Sequence, residues 1–282
     1  MDTVTPSPKP SFRDRLAATW TQASCLRRKA RQTLNRNGGR HRMTLTLAYL
    51  TALVVAGGLY ALSSGAYTLA YMLTDPSMIS DDLLGALADL LFALLCLFLL
   101  LPLLSGIWRL ACLMAVPPEE AARDELPSAT LTQLFYPFTS PRAYGRSMAV
   151  GLESLGWVLM SAVVPVLIFR TIRNMWHLPG VLVALCLTVC VLLGLGAFLL
   201  SGKRTGFGYF VFLHENLSLR DADRYFRSLP RPLFIPLLWR LPLLGWALIS
   251  VVTVLIPLLP HTLPYCACCA AIHARCLQDP QS

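Results

Sequence analysis

The sequence predicts an all-α, polytopic bundle of transmembrane helices, six spans favoured and five the alternative, with amphipathic helices on the cytoplasmic side. Three observations predict it. Of the 282 residues 55% are apolar and 14% charged, where a soluble domain carries about 25% charged residues. Apolar runs long enough to cross a hydrocarbon layer about 30 Å thick recur along the chain. Lys and Arg gather in alternate connecting segments, as positive residues retained in the cytoplasm do. This composition excludes an ordinary soluble globular protein.

Residues 1–42 read as a basic cytoplasmic tail. They carry ten Lys/Arg against Asp2 and Asp14, so +8 of the net charge of +9 lies here. A basic surplus concentrated beside the first span points to the anionic inner leaflet and not to nucleic acid. Within the tail Ser11 and Asp14 look like a helix cap. Phe12, Leu16, Trp20, Ala23, Ala30 and Leu34 recur at helical spacing, and Asn37-Gly38-Gly39 reads as the stop. No cleavable signal peptide is expected, because the first apolar stretch is too long for a signal core.

The spans then follow at about Met43–Met72, Leu84–Trp108, Ser147–Phe169, Leu178–Leu200 and Pro232–Val254, with a weaker sixth at Leu255–Leu277 and a short tail, 278–282. The sixth is diluted by His261, His273 and Arg275, and Pro257, Pro260 and Pro264 crowd its start. Twenty Lys/Arg lie before the first span, from Arg109 to Arg146 and from Lys203 to Arg231, against only Arg170 and Arg173 on the other side. That asymmetry puts the N-terminus in the cytoplasm, and the C-terminus with it if six spans cross.

A faint parallel repeat supports six. Tyr136–Val163 and Tyr225–Val252 align at an offset of 89 residues with ten identities in 28 columns, including Leu155-Gly156-Trp157 against Leu244-Gly245-Trp246. Each copy begins with a cytoplasmic segment of amphipathic character. In the second, Ser218 is the expected cap with Asp221 three residues on, Leu219, Ala222, Tyr225, Phe226 and Leu229 share a face, and Pro230 ends the helix. The counterpart at Glu119–Pro137 is poorer because Pro127 interrupts it.

Charges inside spans are costly and mark candidate sites. Asp89, Arg109, Glu153 and Arg240 qualify. At 1.5 Å per residue Glu153 lies ~10 Å and Arg240 ~12 Å from the inner ends of their spans, with Arg109 at the inner end of its own. One reading is a polar vestibule in which Glu153 and Arg240 pair and bind a charged solute; the other is a structural ion pair or snorkelling. Asp89, ~9 Å from the outer end, is expected to face the bundle interior or water. Pro102, Pro165, Pro236 and Pro242 break backbone bonds within spans, and the last two bracket Trp239-Arg240.

Nine cysteines raise a metal reading. Cys266, Cys269, His273 and Cys276 fall on one face of a helix with ligand types a zinc or soft-metal site accepts. One straight helix offers at most two neighbouring ligands, and the alternative is a face of small residues that lets helices approach closely. Gly206-Phe207-Gly208 and Gly202-Lys203-Arg204 lack the spacing of nucleotide-binding loops. No catalytic constellation stands out, so neither an enzymatic role nor a cofactor is expected.

Four stretches stand out together: Arg28-Lys29-Ala30-Arg31 with Leu34 and Asn37, then Leu134-Phe135 and Phe138, then Leu244-Gly245-Trp246, and finally Leu263-Pro264-Tyr265. Through them the chain resembles a family of bacterial multi-pass integral membrane proteins catalogued only as a domain of unknown function. Ile272-His273 departs from the aromatic pair usual there. The resemblance implies the architecture and a bacterial inner membrane, and no mechanism. The expected function class is therefore a non-enzymatic membrane organiser or accessory subunit. A transporter component is the alternative, and a membrane enzyme using the Cys/His face ranks last. Expected partners are bilayer lipids, a membrane protein or a second copy of the chain.

Overall fold

The computed structural model describes residues 12–73, 80–176, 180–202, 204, 206–229 and 258–278. Among them all regular structure is helical. Helix α1 is Phe12–Leu73, but Gly38 and Gly39 have φ of 66° and 85°, the left-handed region that glycine enters without a Cβ penalty. The chain turns there. His41 Nδ1 lies 3.1 Å from the Thr33 carbonyl and Arg42 donates to Asn35 Oδ1 at 2.8 Å, pairs that an unbroken helix would hold about 10 Å apart. The turn falls on the glycine pair that the sequence marks as a stop.

After the turn come three helices long and apolar enough to cross a membrane: Gly38–Leu73, Asp81–Ala115 and Pro141–Ile172. The first three expected spans lie inside them. The second consists of α2 (Asp81–Leu95), a π turn at Cys96–Leu100 and α3 (Leu101–Ala115). After α4 (Pro118–Arg123) and a 3-10 turn at Leu131–Phe138, the third is built from α5 (Pro141–Val158), a π turn at Leu159–Val163 and α6 (Val164–Trp176). Each π turn ends two residues before a proline, Pro102 or Pro165. A proline has no N–H and its ring collides with the carbonyl four residues back; widening the preceding turn relieves both. A third π turn, Leu258–Thr262, stands in the same relation to Pro264.

Helix α7 (Gly180–Gly202) covers residues 180–200 of the fourth expected span, and within it Val181–Gly194 is a shorter apolar helix. The fifth, Pro232–Val254, lies outside the described residues, as do Arg240, Pro236, Pro242 and most of the second repeat copy. Short α8 (Phe207–Leu213) and α9 (Leu219–Ser228) follow α7, and α10 (Leu263–Gln278) occupies the C-terminal part of the sixth expected span.

Burial is uneven along the bundle. In the most apolar windows of the three long helices only 17, 28 and 6% is buried, and Val54, Leu87 and Val166 face outward. A water-soluble protein does not expose apolar surface on this scale. The packed core sits instead at the end where α1 enters its span, α3 ends and α5 begins, called the near end below. There Leu45, Leu110, Cys112, Phe210, Phe212 and Ile272 close one cluster, joined by Ala23, Leu26, Ala30 and Leu34 from before the glycine turn.

Small residues set how closely the third span, the 3-10 turn and α8 approach the second span. Ser105 Oγ donates to the Ser147 carbonyl at 2.8 Å. A Cβ on Gly106 would overlap the Leu134 carbonyl, and one on Gly208 would overlap the Trp108 indole. Such contacts let backbones close on each other in apolar surroundings, where dispersion drives helix association. In α9, Ser218 caps the helix as expected, accepting from Asp221 N at 3.1 Å. Its expected apolar face divides: Ala222 and Phe226 are buried, whereas Leu219 and Tyr225 are partly exposed, the Tyr225 ring standing edge-on to Phe210 of α8. Trp20 is likewise exposed, with the Arg27 guanidinium over its ring.

Candidate functional site

The near end carries a charged layer in two parts. The first is a clamp of arginines on the segment that joins α8 to α9. Helix α8 ends at Leu213, and the carbonyls of a last helical turn have no partner within the helix and carry its partial negative charge. Arg146, on the first turns of α5 and buried, supplies what they lack. Its Nη1 donates to the Val211 carbonyl at 2.7 Å, and its Nη2 donates to the carbonyls of Glu215, at 2.6 Å, and of Leu217. Arg142, one turn earlier, adds a second donor to the Glu215 carbonyl at 2.9 Å.

Arg109 completes the clamp from α3. It is buried, and its guanidinium is engaged through Nε, through Nη1 and on one face. Nη1 donates to the Phe212 carbonyl at 3.1 Å and meets Glu215 Oε1 at 2.5 Å; Nε donates to Gln133 Oε1 at 3.2 Å. The guanidinium carbon stands 3.5 Å from the centroid of the Tyr136 ring, a cation–π contact. The planar fork of arginine suits this work, reaching several acceptors at once where a lysine would reach one.

The second part is a chain of alternating charges. Glu153 Oε1 meets Arg204 Nε at 2.6 Å in an ion pair, Arg204 Nη1 meets Asp223 Oδ1 at 2.5 Å, and Asp223 Oδ2 meets Arg227 at 2.8 Å. It runs from α5 through the α7–α8 connection to α9. Burial works against the Asp223 charge, but hydrogen bonds from Arg204 and Arg227 outweigh it and hold the carboxyl below the ordinary aspartate range. A carboxyl depressed in the folded state stabilises the fold fully above the unfolded value, about 3.9, and the contribution is lost as pH falls through the folded value. The unfolding midpoint of the detergent-purified protein should therefore drop below about pH 4, and Asp223→Asn should flatten that drop. An unchanged acid limb would show that Asp223 is not held by the two arginines.

The expected site residues thus divide. Arg109 and Glu153 both lie in the near-end layer. The partner of Glu153 is Arg204, and Arg240, the expected one, is outside the described residues. Asp89 is exposed on the side of α2 and not turned into the bundle. On α10, Cys269 and His273 are buried, and Cys266 and Cys276 are half-buried. Cys268, also buried there, joins Cys112 in the core cluster. Among the described residues no group of three or more His, Cys, Asp or Glu is placed to hold a metal ion; ligands spread over ten residues of one helix are ~15 Å apart end to end. At the C-terminal end of α10, Arg275 pairs with Glu120 of α4 at 2.7 Å.

Sequence reasoning missed Arg146, Arg204, Glu215 and Asp223. Arg146 and Arg204 enter the sequence only as loop cations that fix topology. The four-residue spacing that puts Arg142 and Arg146 on one helical face is the signal by which Arg146 could have been found. Comparison of the chain with models of known families, with curated proteins and with solved structures gives no match.

Proposed function

We propose that the chain is a multi-pass bacterial inner-membrane protein of non-enzymatic role, an organiser of the membrane or an accessory subunit of a membrane complex. The observation that carries this reading is the commitment of the buried arginines. Arg109 and Arg146, both buried, are spent on backbone carbonyls and on Glu215. Groups held this way fix a cap of short helices onto the spans and present no open charge to a passing solute.

Six spans with both termini in the cytoplasm fit this proposal. It is supported by the Arg275–Glu120 pair, which brings the end of α10 beside the connector that follows the second span, and by the basic tail. The near end is then the cytoplasmic end, and the tail lies against anionic inner-leaflet lipids. The outward apolar surface of the third long helix, with 6% of its window buried, suits lipid, a membrane-protein partner or a second copy of the chain.

A transporter component is the second reading, favoured by the parallel repeat and by the prolines that bracket Arg240. Reconstituted into proteoliposomes, the protein is expected to leave ion and small-solute flux at the level of empty vesicles, with Glu153→Gln and Arg240→Gln changing nothing. Flux above that level, abolished by either variant, would move the assignment to transport.

A further inference from the structure

We propose that the glycine turn of α1 and the start of α10 form a defined site for the phosphate of an anionic lipid, whose acyl chains lie along the first turns of the span. This deepens the lipid contact proposed for the tail and rests on the near end facing the cytoplasmic leaflet. Three adjoining clefts make the site. Arg27, Arg28, Arg31 and Arg36 line one of about 740 Å³. A second, of about 310 Å³, shares Arg31 and Asn35 with it and adds Arg42, His261 and Thr262. The third, of about 640 Å³, continues from Asn35 and Arg42 onto Met43, Leu47 and Pro260.

The cations are pre-positioned. Arg42 is held by Asn35 across the turn at 2.8 Å, and Arg31 stands over the Tyr265 ring at 5.9 Å from its centroid. Among the described residues no carboxylate pairs with Arg27, Arg28, Arg31, Arg36 or Arg42, whereas Arg109, Arg204, Arg227 and Arg275 each have one. Five like charges around one turn repel one another until an anion enters. Thr262 Oγ1, buried at the wall of the second cleft, has no hydrogen-bond partner among the described residues and offers a donor to a phosphate oxygen. The guanidinium fork is suited to phosphate. A lipid is preferred to a free anion because the clefts share Asn35 and the third leads from Arg42 to Met43 and Leu47, both exposed, matching the order of headgroup and acyl chain.

The full chain, purified in detergent, is titrated with phosphatidylglycerol and with phosphatidylcholine, and retained lipid is read by native mass spectrometry. Phosphatidylglycerol is expected to be retained and phosphatidylcholine lost. Arg28→Gln/Arg31→Gln/Arg36→Gln should weaken retention by about 10- to 100-fold. Arg123→Gln/Arg224→Gln, exposed elsewhere, should leave it unchanged, and so should an excess of inorganic phosphate. If the triple variant melts early without lipid, Arg36→Gln alone carries the test. Equal retention of the two lipids, an unaffected arginine variant, or full displacement by inorganic phosphate overturns the proposal, the last in favour of a soluble anion. Cys25 is exposed and separates the two levels of the argument. A membrane-impermeant maleimide that labels it in intact cells, with Cys25→Ser as blank, overturns the cytoplasmic placement. Protection of Cys25 together with no lipid preference overturns the site alone.

Discussion

Arg146→Ala is expected to lower the stability of the detergent-purified protein by about 3 kcal/mol, the largest effect of any single charge removal at the near end. The size follows from what remains behind. The Glu215 carbonyl keeps Arg142 as a donor and the His214 carbonyl keeps the Leu217 amide. The carbonyls of Val211 and Leu217 lose the Arg146 donors. Val211 is fully buried, so its carbonyl bears the whole desolvation penalty, about 1–3 kcal/mol, and the cavity left by the side chain adds to it. Arg146→Lys should recover less than half, since an ammonium cannot reach carbonyls on both sides of the turn. Arg142→Ala should cost under about 1 kcal/mol, because Arg146 still serves its acceptor. Thermal unfolding followed by size-exclusion chromatography measures all three, and equal losses for Arg142→Ala and Arg146→Ala would contradict the division of labour.

Gly106→Ala and Gly208→Ala should be almost as damaging, at about 2 kcal/mol or more each. The Gly106 Cβ would meet the Leu134 backbone carbonyl, which has no rotamer through which to escape; at Gly208 it would meet the indole of Trp108 and then Val150. Both substitutions push α3 away from what it packs on, the 3-10 turn in one case and α8 in the other. Gly58→Ala is the matched control. A Cβ there meets nothing within 4 Å, and replacing glycine within a helix gains up to about 1 kcal/mol. The same melting experiment should therefore return losses at two glycines and a gain or no change at the third. A loss at Gly58 equal to that at Gly106 would mean that the contacts are not what the glycines serve.

Features encoded locally were legible in the sequence. The three long apolar helices follow from hydropathy. The turn at Gly38-Gly39 follows from a pair of residues that tolerate positive φ, and the Ser218 cap from a hydroxyl three residues before a carboxylate. The prolines at 102 and 165 were legible as disturbances, but not the π turns that absorb them, since a widened turn depends on how the neighbouring helix leaves room. The charged layer was half legible. Arg109 and Glu153 stand out because they interrupt apolar runs. Their partners do not, because Glu215 and Arg204 lie in polar connections where charge is ordinary, 106 residues from Arg109 in the first case. Helical period fixes which residues share a face but not how one helix is rotated against another, so Glu153 could be matched to a span residue, Arg240, before the connecting segment came into view.

Hydrogen exchange of the segment 207–217 in lipid nanodiscs tests most directly the claim that buried arginines lock the α8–α9 cap onto the spans. In the wild type these amides should exchange nearly as slowly as those of α3, opening only with global unfolding. Arg146→Ala should accelerate them by more than about 30-fold, which corresponds to a loss of roughly 2 kcal/mol, and by more than it accelerates the far halves of the long helices. Wild-type amides that already exchange at loop rates, or an Arg146→Ala protein that protects them as well as the wild type does, would contradict the account.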